Sequence, residues 1–474
     1  MTKIKSKLLI LIFSFCVVNK SFANNAVLNE EIVINSAIEH YPKIYINEEK
    51  IRIAEAKLIE ARGAFDTKLN IKDKRFLSGY YENQEYVDGK IIKPLEFFNS
   101  KIYTGYLQSK NGIYPEYNQY YSTNSNGRMM FGFELSLLRG FLINEQNAIK
   151  NIANLDVKIT SYNNILMLNQ IKADARKSYW KFFYIKKIYK IYQEMLDIAI
   201  ERQKALEIQV KKGDKPAIFL KENQRAILRR QSMLMSIQRE MLNSAVNLSM
   251  YLRDKNSEMY DAEYILSMNI QEDLNDIDLL KNHNLKKDID NVLQNRLDIK
   301  ITEILLKQGN IKMKLAKNDI MPSVDLSFET YKDYGIGSAQ KNIRSNKVSL
   351  DVTIPIENKK QQGKYDKTRS DIKIITYDLK LLKDSIQNEV KLLFNRVKEI
   401  EQIAENAKQE IVLSKKLLDA ENIRFKNGDS DFFMVNAREQ DFLGIQEYSL
   451  RNKLALLELS IEYNFVTKDS LYYN

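Results

Sequence analysis

Among the long stretches of this 474-residue chain that contain neither glycine nor proline, two lie between glycines and carry an unbroken helical pattern. One is bounded by Gly140 and Gly213 and has 72 residues, the other by Gly363 and Gly428 and has 64. Glycine and proline are the strongest local punctuators of a chain. Without them, each stretch can run as one helix about 100 Å long, at 1.5 Å per residue. Apolar residues recur at spacings of three and four: Ile149, Ile152, Leu155, Ile159, Tyr162 and Ile165, then Ile185, Ile188, Tyr192, Met195 and Ala199. That spacing puts them on one stripe. Helices of this length do not fit a globule of ordinary radius and predict a coiled-coil rod or tube. A dimeric coiled coil without a channel satisfies the same pattern, so the helices alone do not decide.

The first residues, "MTKIKSKLLILIFSFCVVNKSFANN", place Lys3, Lys5 and Lys7 before an apolar run from Leu8 to Val18. With the small-x-small Ser21-Phe22-Ala23, this reads as a secretory signal over residues 1–23. Cys16 lies inside it, but the bulk of Phe15 disfavours a lipoprotein site, so no lipid anchor is expected. The chain that remains has no cysteine and must hold together without disulfides. Its net charge falls from +11 to +7 as four lysines leave, and basic and acidic residues alternate. Such a surface is a solvated helix face and gives no ground for nucleic-acid binding. No later segment is apolar over about 20 residues, so entry into a membrane would have to be by strands.

Between Gly63 and Gly140 the period changes from 3.6 to 2. In "FDTKLNIK", Phe65, Thr67, Leu69 and Ile71 alternate with Asp66, Lys68, Asn70 and Lys72. In "FGFELSL", Phe131, Phe133, Leu135 and Leu137 alternate with Gly132, Glu134 and Ser136. "SVDLSFET" and "VSLDVTI" repeat the pattern, with Asp325, Glu329 and Asp351 on their polar faces. Strands are therefore predicted at about 64–75, 129–138, 323–331 and 347–355. A half-buried sheet in a soluble domain is the bland alternative. Secretion, charge on all four polar faces and two open edges favour a transmembrane barrel. Its lipid face would be the apolar one, and Asp66, Lys68, Glu134, Asp325, Glu329 and Asp351 would face the lumen. Known barrels need about eight strands, so one chain cannot close one, whereas three copies give about twelve.

The order helix, strand pair, long helix, Gly-Asp break and shorter helix occurs twice. The breaks are "KKGDKP" at Gly213-Asp214 and "KNGDSD" at Gly428-Asp429. Aligning them sets Ala205 on Ala420, Ile208 on Ile423 and Leu228 on Leu443, a repeat of about 215 residues. The first repeat covers residues 24–252 and the second 286–474, joined by a polar connector, 253–285. At each break glycine can end a helix with φ > 0. Asp214 and Asp429 are expected to cap the returning helix, and Pro216 suits a first helical turn. The first strand pair carries an insert, residues 76–128, rich in tyrosine, including Tyr80, Tyr103, Tyr106 and Tyr117. It is read as an extended loop, with interfacial aromatic anchoring as the alternative.

The chain resembles the TolC family of outer-membrane efflux proteins over about residues 27–465. The resemblance rests on "EARGAFDTKLN", "LLRGFLINEQNA", "KKGDKPAIFLKE", "LAKNDIMPSVDLSF", "IPIENKKQQGK" and "FKNGDSDFFMVNARE", in that order. It implies a mainly α fold with β: a duplicated helix, β-hairpin and long helical hairpin. Three copies would form a trimeric 12-stranded transmembrane β-barrel continuous with an α-helical coiled-coil tunnel in the periplasm. It further implies a passive duct in the outer membrane, fed through a periplasmic adaptor by an inner-membrane ABC or RND transporter. The tips around Gly213, Asp214, Pro216, Gly428 and Asp429 would form the entrance and dock the adaptor. Where the family carries an acidic ring, this chain has Phe433, Met434, Asn436 and Ala437, with Asp431 and Glu439 as the nearest acids. Asp431, Phe433, Met434 and Asn436 are thus the candidate aperture lining. Phe432, Phe433 and Met434 are equally readable as an apolar constriction or as coiled-coil core.

An enzyme is not expected, nor a cofactor. His40 and His283 are far apart and in no ligand spacing, and the abundant carboxylates read as solvated faces. The rival to a duct is a periplasmic adaptor or structural coiled-coil protein. It shares long helical hairpins and a signal but needs neither charged-faced strands nor two hairpins per chain.

Overall fold

A computed structural model of the chain describes residues 27–77, 84–110, 122–271, 283–337 and 339–469. The expected signal lies outside them, as do several tyrosines of the insert, Tyr80 and Tyr117 among them. The chain divides into two compact units, one of Met1–Ala37 with Ser178–Asp276, the other of Ile38–Lys177 with Ile277–Asn474.

In the first unit, α4 (Ile218–Ser249) follows the C-terminal part of α3 (Glu145–Lys211). The hairpin is joined by polar side chains. Asn223 donates to the Ala199 carbonyl at 3.0 Å and to Gln203 at 2.9 Å, and Arg230 donates to the Met195 carbonyl at 2.7 Å. The segment Tyr179–Ile185 buries Tyr179, Phe182, Phe183, Tyr184 and Ile185 almost completely. Each such side chain contributes about 1.5–3 kcal/mol relative to exposure. Over its described residues 253–271 the connector is ordered. α5 (Ala262–Ser267) leads into β6 (Asn269–Ile270), which pairs parallel with β1 (Val27–Leu28). Lys186 donates to the Leu266 and Met268 carbonyls, and burial lowers the pKa of its ammonium group.

The second unit holds α8 (Lys359–Asn427), 69 residues long, antiparallel to α9 (Phe432–Asn464). Each of the two stretches between glycines singled out in the sequence lies almost wholly within one helix, α3 being 67 residues long. Around the middle of α8, α6 (Leu285–Asn295) and α7 (Leu297–Asp319) complete a core of Ile289, Val292, Ile299, Ile386, Val390, Leu393, Val397, Leu459 and Tyr463. Beside it Tyr463 donates to Asp288 at 2.7 Å, and His283 Nδ1 lies 3.1 Å from the same carboxylate oxygen. The helix α2 (Pro42–Arg62) opens with proline at its start, where a missing N–H costs nothing.

The sheet of this unit has six strands, not the four read from the sequence. Its order is β2 (Lys68–Phe76), β3 (Gln84–Pro94), β4 (Lys101–Lys110), β5 (Arg128–Ser136), β7 (Ser323–Asp333), β8 (Ser345–Thr353), every pair antiparallel. Two of them, β3 and β4, come from the tyrosine-rich insert, so the loop reading is corrected over 84–110. The sequence hid them for a physical reason. Gly89, Lys90, Lys93 and Pro94 interrupt the alternation of β3, and in β4 Tyr103 and Leu107 put large residues on the otherwise polar face. The connection between them, residues 95–100, closes with a tight turn in which Phe98 has φ 56 and Asn99 φ 46, and Ser100 N–H donates to the Phe97 carbonyl at 3.1 Å. Two consecutive residues with positive φ reverse the chain there.

Register sorts most side chains by face, with Asp73, Arg75, Lys93 and Lys332 among the charged residues on the apolar side and Tyr86, Ile92, Leu107 and Met130 among the apolar ones on the polar side. Leu69, Ile71, Ile91, Ile102, Phe131, Phe133, Leu326, Phe328, Val348 and Leu350 fall on one face. Lys68, Lys72, Lys90, Glu134, Ser327, Glu329 and Asp351 fall on the other. The apolar face is open: Ile71 is 64% exposed and Leu350 58%. Among the described residues, no helix is long and apolar enough to cross a membrane.

Candidate functional site

Two places carry the sequence-predicted residues: the ends of the helical hairpins and the polar face of the sheet. At the first hairpin, α3 ends with Gly213 at φ 80. Gly213 N–H reaches the Val210 carbonyl at 3.0 Å and Asp214 N–H reaches the Gln209 carbonyl at 2.9 Å. At the second, Gly428 has φ 89, its N–H reaches Phe425 at 3.2 Å, and Asp429 N–H reaches Arg424 at 2.9 Å. Both are the same Schellman closure, with glycine in the left-handed position. The two Gly-Asp breaks of the sequence are thus one structural device used twice.

The capping expectation is corrected. Ala217, not Asp214, stands at the N-cap of α4, and no side chain caps it. Pro216 precedes that position, so it lies outside the helix, and its carbonyl accepts from Phe219 N–H at 3.2 Å. At the second tip the cap is Asp431, whose carboxylate accepts from Met434 N–H at 2.8 Å. Asp429 is exposed, and its carbonyl accepts from the Arg424 guanidinium at 3.1 Å. Glu421, buried at this tip, pairs with Arg424 at 3.5 Å and accepts from the Ser430 hydroxyl. Sequence reading missed that cluster. Its only signal was an acid at a stripe position of α8, three residues before an arginine.

The aperture candidates separate. Phe432 is fully buried, with its ring 6.3 Å from that of Phe425, so it belongs to the packed hairpin. Phe433 is 56% exposed and Met434 38%, and Asp431 is exposed as well. Asn436 is half-buried, and Glu439, two turns into α9, is buried.

On the sheet, Lys68, Glu134, Asp325, Glu329 and Asp351 share the polar face, while Asp66 stands before β2 and ends the short turn Gly63–Phe65. Lys101 pairs with Glu134 at 2.7 Å. The Tyr103 hydroxyl crosses β5 and donates to Glu329 at 2.8 Å. It can do so because Gly132 lies under its ring, where an added Cβ would come within 2.4 Å of Tyr103 Cζ. No sequence rule links residues 226 apart, so this tie was invisible. At the sheet end remote from the helices, Arg128 and Asp333 form a buried pair at 2.6 Å. Lys341 there donates to the Ser122 carbonyl at 3.0 Å, and burial lowers its pKa. Among the described residues, no group of carboxylates, histidines or cysteines could hold a metal ion.

No family model matches the chain, and no curated protein sequence matches it. Solved structures do. The chain is similar to the outer membrane protein VceC of Vibrio cholerae at 11% identity, over 92% of this chain and 95% of that one, with a TM-score of 0.67. It is similar to the CmeC outer membrane channel of Campylobacter jejuni at 12% identity, over 93% and 86%, with a TM-score of 0.65. It is also similar to the open state of the MtrE outer membrane channel of Neisseria gonorrhoeae at 15% identity, over 92% and 88%, with a TM-score of 0.63. The likeness spans nearly the whole of each chain, and it is one of fold: a mostly helical chain with one sheet, built as these channels are.

Proposed function

We propose that the chain is an outer-membrane channel-tunnel of the TolC family: a homotrimeric passive exit duct, with its helices in the periplasm and its sheet in the outer membrane. A periplasmic adaptor would dock at the tips, and an inner-membrane ABC or RND transporter would deliver drugs, toxic ions or secreted polypeptides. The observation that carries this reading is the sheet. Its strands are 9 to 11 residues long, the length that spans a bilayer when tilted, and one face is open and apolar while the other is charged. A soluble sheet with that much uncovered apolar face would aggregate. The whole-length likeness to outer-membrane channels supports the same reading. A periplasmic adaptor or structural coiled-coil protein has no use for such a face. In this duct Gly213, Asp214, Pro216, Gly428 and Asp429 belong to the entrance and its adaptor contact. Asp431, Phe433, Met434 and Asn436 belong to the aperture, and Lys68, Glu134, Asp325, Glu329 and Asp351 to the barrel lumen. The test is fractionation of cells expressing the full chain. The protein is expected to stay in outer-membrane vesicles through a high-salt wash, and its release by salt would overturn the proposal.

A further inference from the structure

The two strands of the insert are built into the sheet at three levels. At the helix end, Ser136 N–H donates to the Phe98 carbonyl at 3.1 Å, Asn99 donates to the Ser136 hydroxyl at 3.0 Å, and Phe98 stacks on Phe141 at 4.4 Å. In the middle stands the Tyr103–Glu329 bond, and at the far end Tyr106 donates to the Asn126 carbonyl at 2.7 Å. The apolar face also continues across β3 and β4 through Val87, Ile91, Ile102 and Tyr106. The hairpin is therefore a member of the wall.

The edges of this six-stranded sheet are β2 and β8, and they run in opposite directions. Strand β8 of one copy can thus meet β2 of the next antiparallel, the sense of every pair already in the sheet. Their faces match. Leu69 and Ile71 of β2 would continue the apolar band of Val348, Leu350 and Val352. On the polar side, Lys68 and Lys72 of β2 would face Asp351 of β8, with Asp325 of β7 behind it, while Lys347 of β8 lies beside Glu329. Opposite charges across a strand pair stabilise it. Open edges with such faces require a partner.

Resting on the trimeric duct reading, we propose that these edges pair with further copies of this chain to close a barrel of eighteen strands, six from each of three copies. Four strands per chain would give twelve. Barrel diameter grows roughly linearly with strand number, so the lumen is about 1.5 times as wide, in the range where barrels leave an aqueous channel. The cargo class this favours is bulky solutes or polypeptide, which need the wider exit.

Cysteine pairs test this directly, because Cys16 is the one cysteine of the chain. In outer membranes, Leu69→Cys with Ile91→Cys and Ile102→Cys with Phe133→Cys are expected to form disulfides within one chain. A panel combining Leu69→Cys or Ile71→Cys with Val348→Cys, Leu350→Cys or Val352→Cys is expected to yield covalent trimers. Leu69→Cys with Phe131→Cys should not bridge, since three strand spacings of about 4.8 Å exceed disulfide reach. If that last pair bridges and the first two do not, while trimers still form, the barrel has four strands per chain: the width proposal fails and the duct stands. If the first two pairs bridge but no panel member links copies, the trimeric reading fails along with it. Polymer exclusion from the outer side gives the functional arm. A variant joining Phe76 to Arg128 through a short turn should have about half the lumen cross-section, and an unchanged size limit would overturn the proposal.

Discussion

Gly213 and Gly428 each hold a left-handed turn that a side chain strains. Nothing lies within 4 Å of a Cβ added at either, so the backbone conformation alone sets the cost. Gly428→Ala is expected to destabilise the tip by about 1 kcal/mol, and Gly428→Asn by less, because asparagine tolerates this region. Hydrogen exchange of α9 near Phe432 would register the difference. Both turns were legible in the sequence because one residue type accounts for them. The cap was not, because it depends on where the returning helix begins, and boundaries shift by one or two residues. Asp431, two positions beyond Asp429, has the extended backbone and the reach to Met434 N–H. Asp431→Ala together with Asp429→Ala is expected to raise single-channel conductance in planar bilayers by loosening the entrance. Asp431→Asn should keep the conductance of the unaltered protein, since asparagine caps nearly as well. Equal conductance of the alanine double variant and the unaltered protein would show that these carboxylates do not hold the mouth.

At the scale of elements, the aromatic run of α3 carries a pH dependence. Burial pushes Tyr184 up to about 12, and burial followed by the charge of Glu30 pushes Tyr179 up to about 12. An unfolded tyrosine ionises near pH 10. Below that both states hold the proton and stability is intact. Between about 10 and 12 the unfolded chain releases it first, so stability is lost as pH rises. Tyr184→Phe keeps the ring contacts with Trp180 and Phe183 and is expected to flatten the fall in melting temperature over that window. In the sheet, Tyr103→Phe removes the donor to a buried Glu329, and Gly132→Val drives a side chain into the Tyr103 ring. Both are expected to lower the temperature at which oligomers dissociate on gels, the first by the worth of a hydrogen bond to a charged group, about 1.5–3 kcal/mol. Helices α3 and α8 were legible because all of α3, and α8 beyond Gly363, run without a breaker at a single period. Strands β5, β7 and β8 were legible because their charged and apolar residues alternate cleanly. Strands β3 and β4 were not, since Gly89, Gly105 and Tyr103 answer to neighbours across the sheet rather than to a local period.

At the scale of the whole molecule, the two Gly-Asp breaks were legible as a pair, and both close as Schellman turns. The strand count was not legible, because the insert falls in one repeat only. A trimer, as proposed, would have to be held without covalent links. Cysteine occurs once, within the expected signal, so a processed chain has no thiol to bridge copies. Its cohesion in a trimer then rests on strand pairing between β8 and β2 and on apolar packing, both of which give way to heat and neither to reductant. The oligomer extracted in mild detergent is expected to migrate identically with and without dithiothreitol on an unheated gel, and to collapse on boiling to one monomer band, somewhat below the 55.5 kDa of the full chain. A band that reductant alone shifts would mean that the signal stays attached and Cys16 bridges the copies, which would overturn both the cleavage after Ala23 and a purely non-covalent barrel.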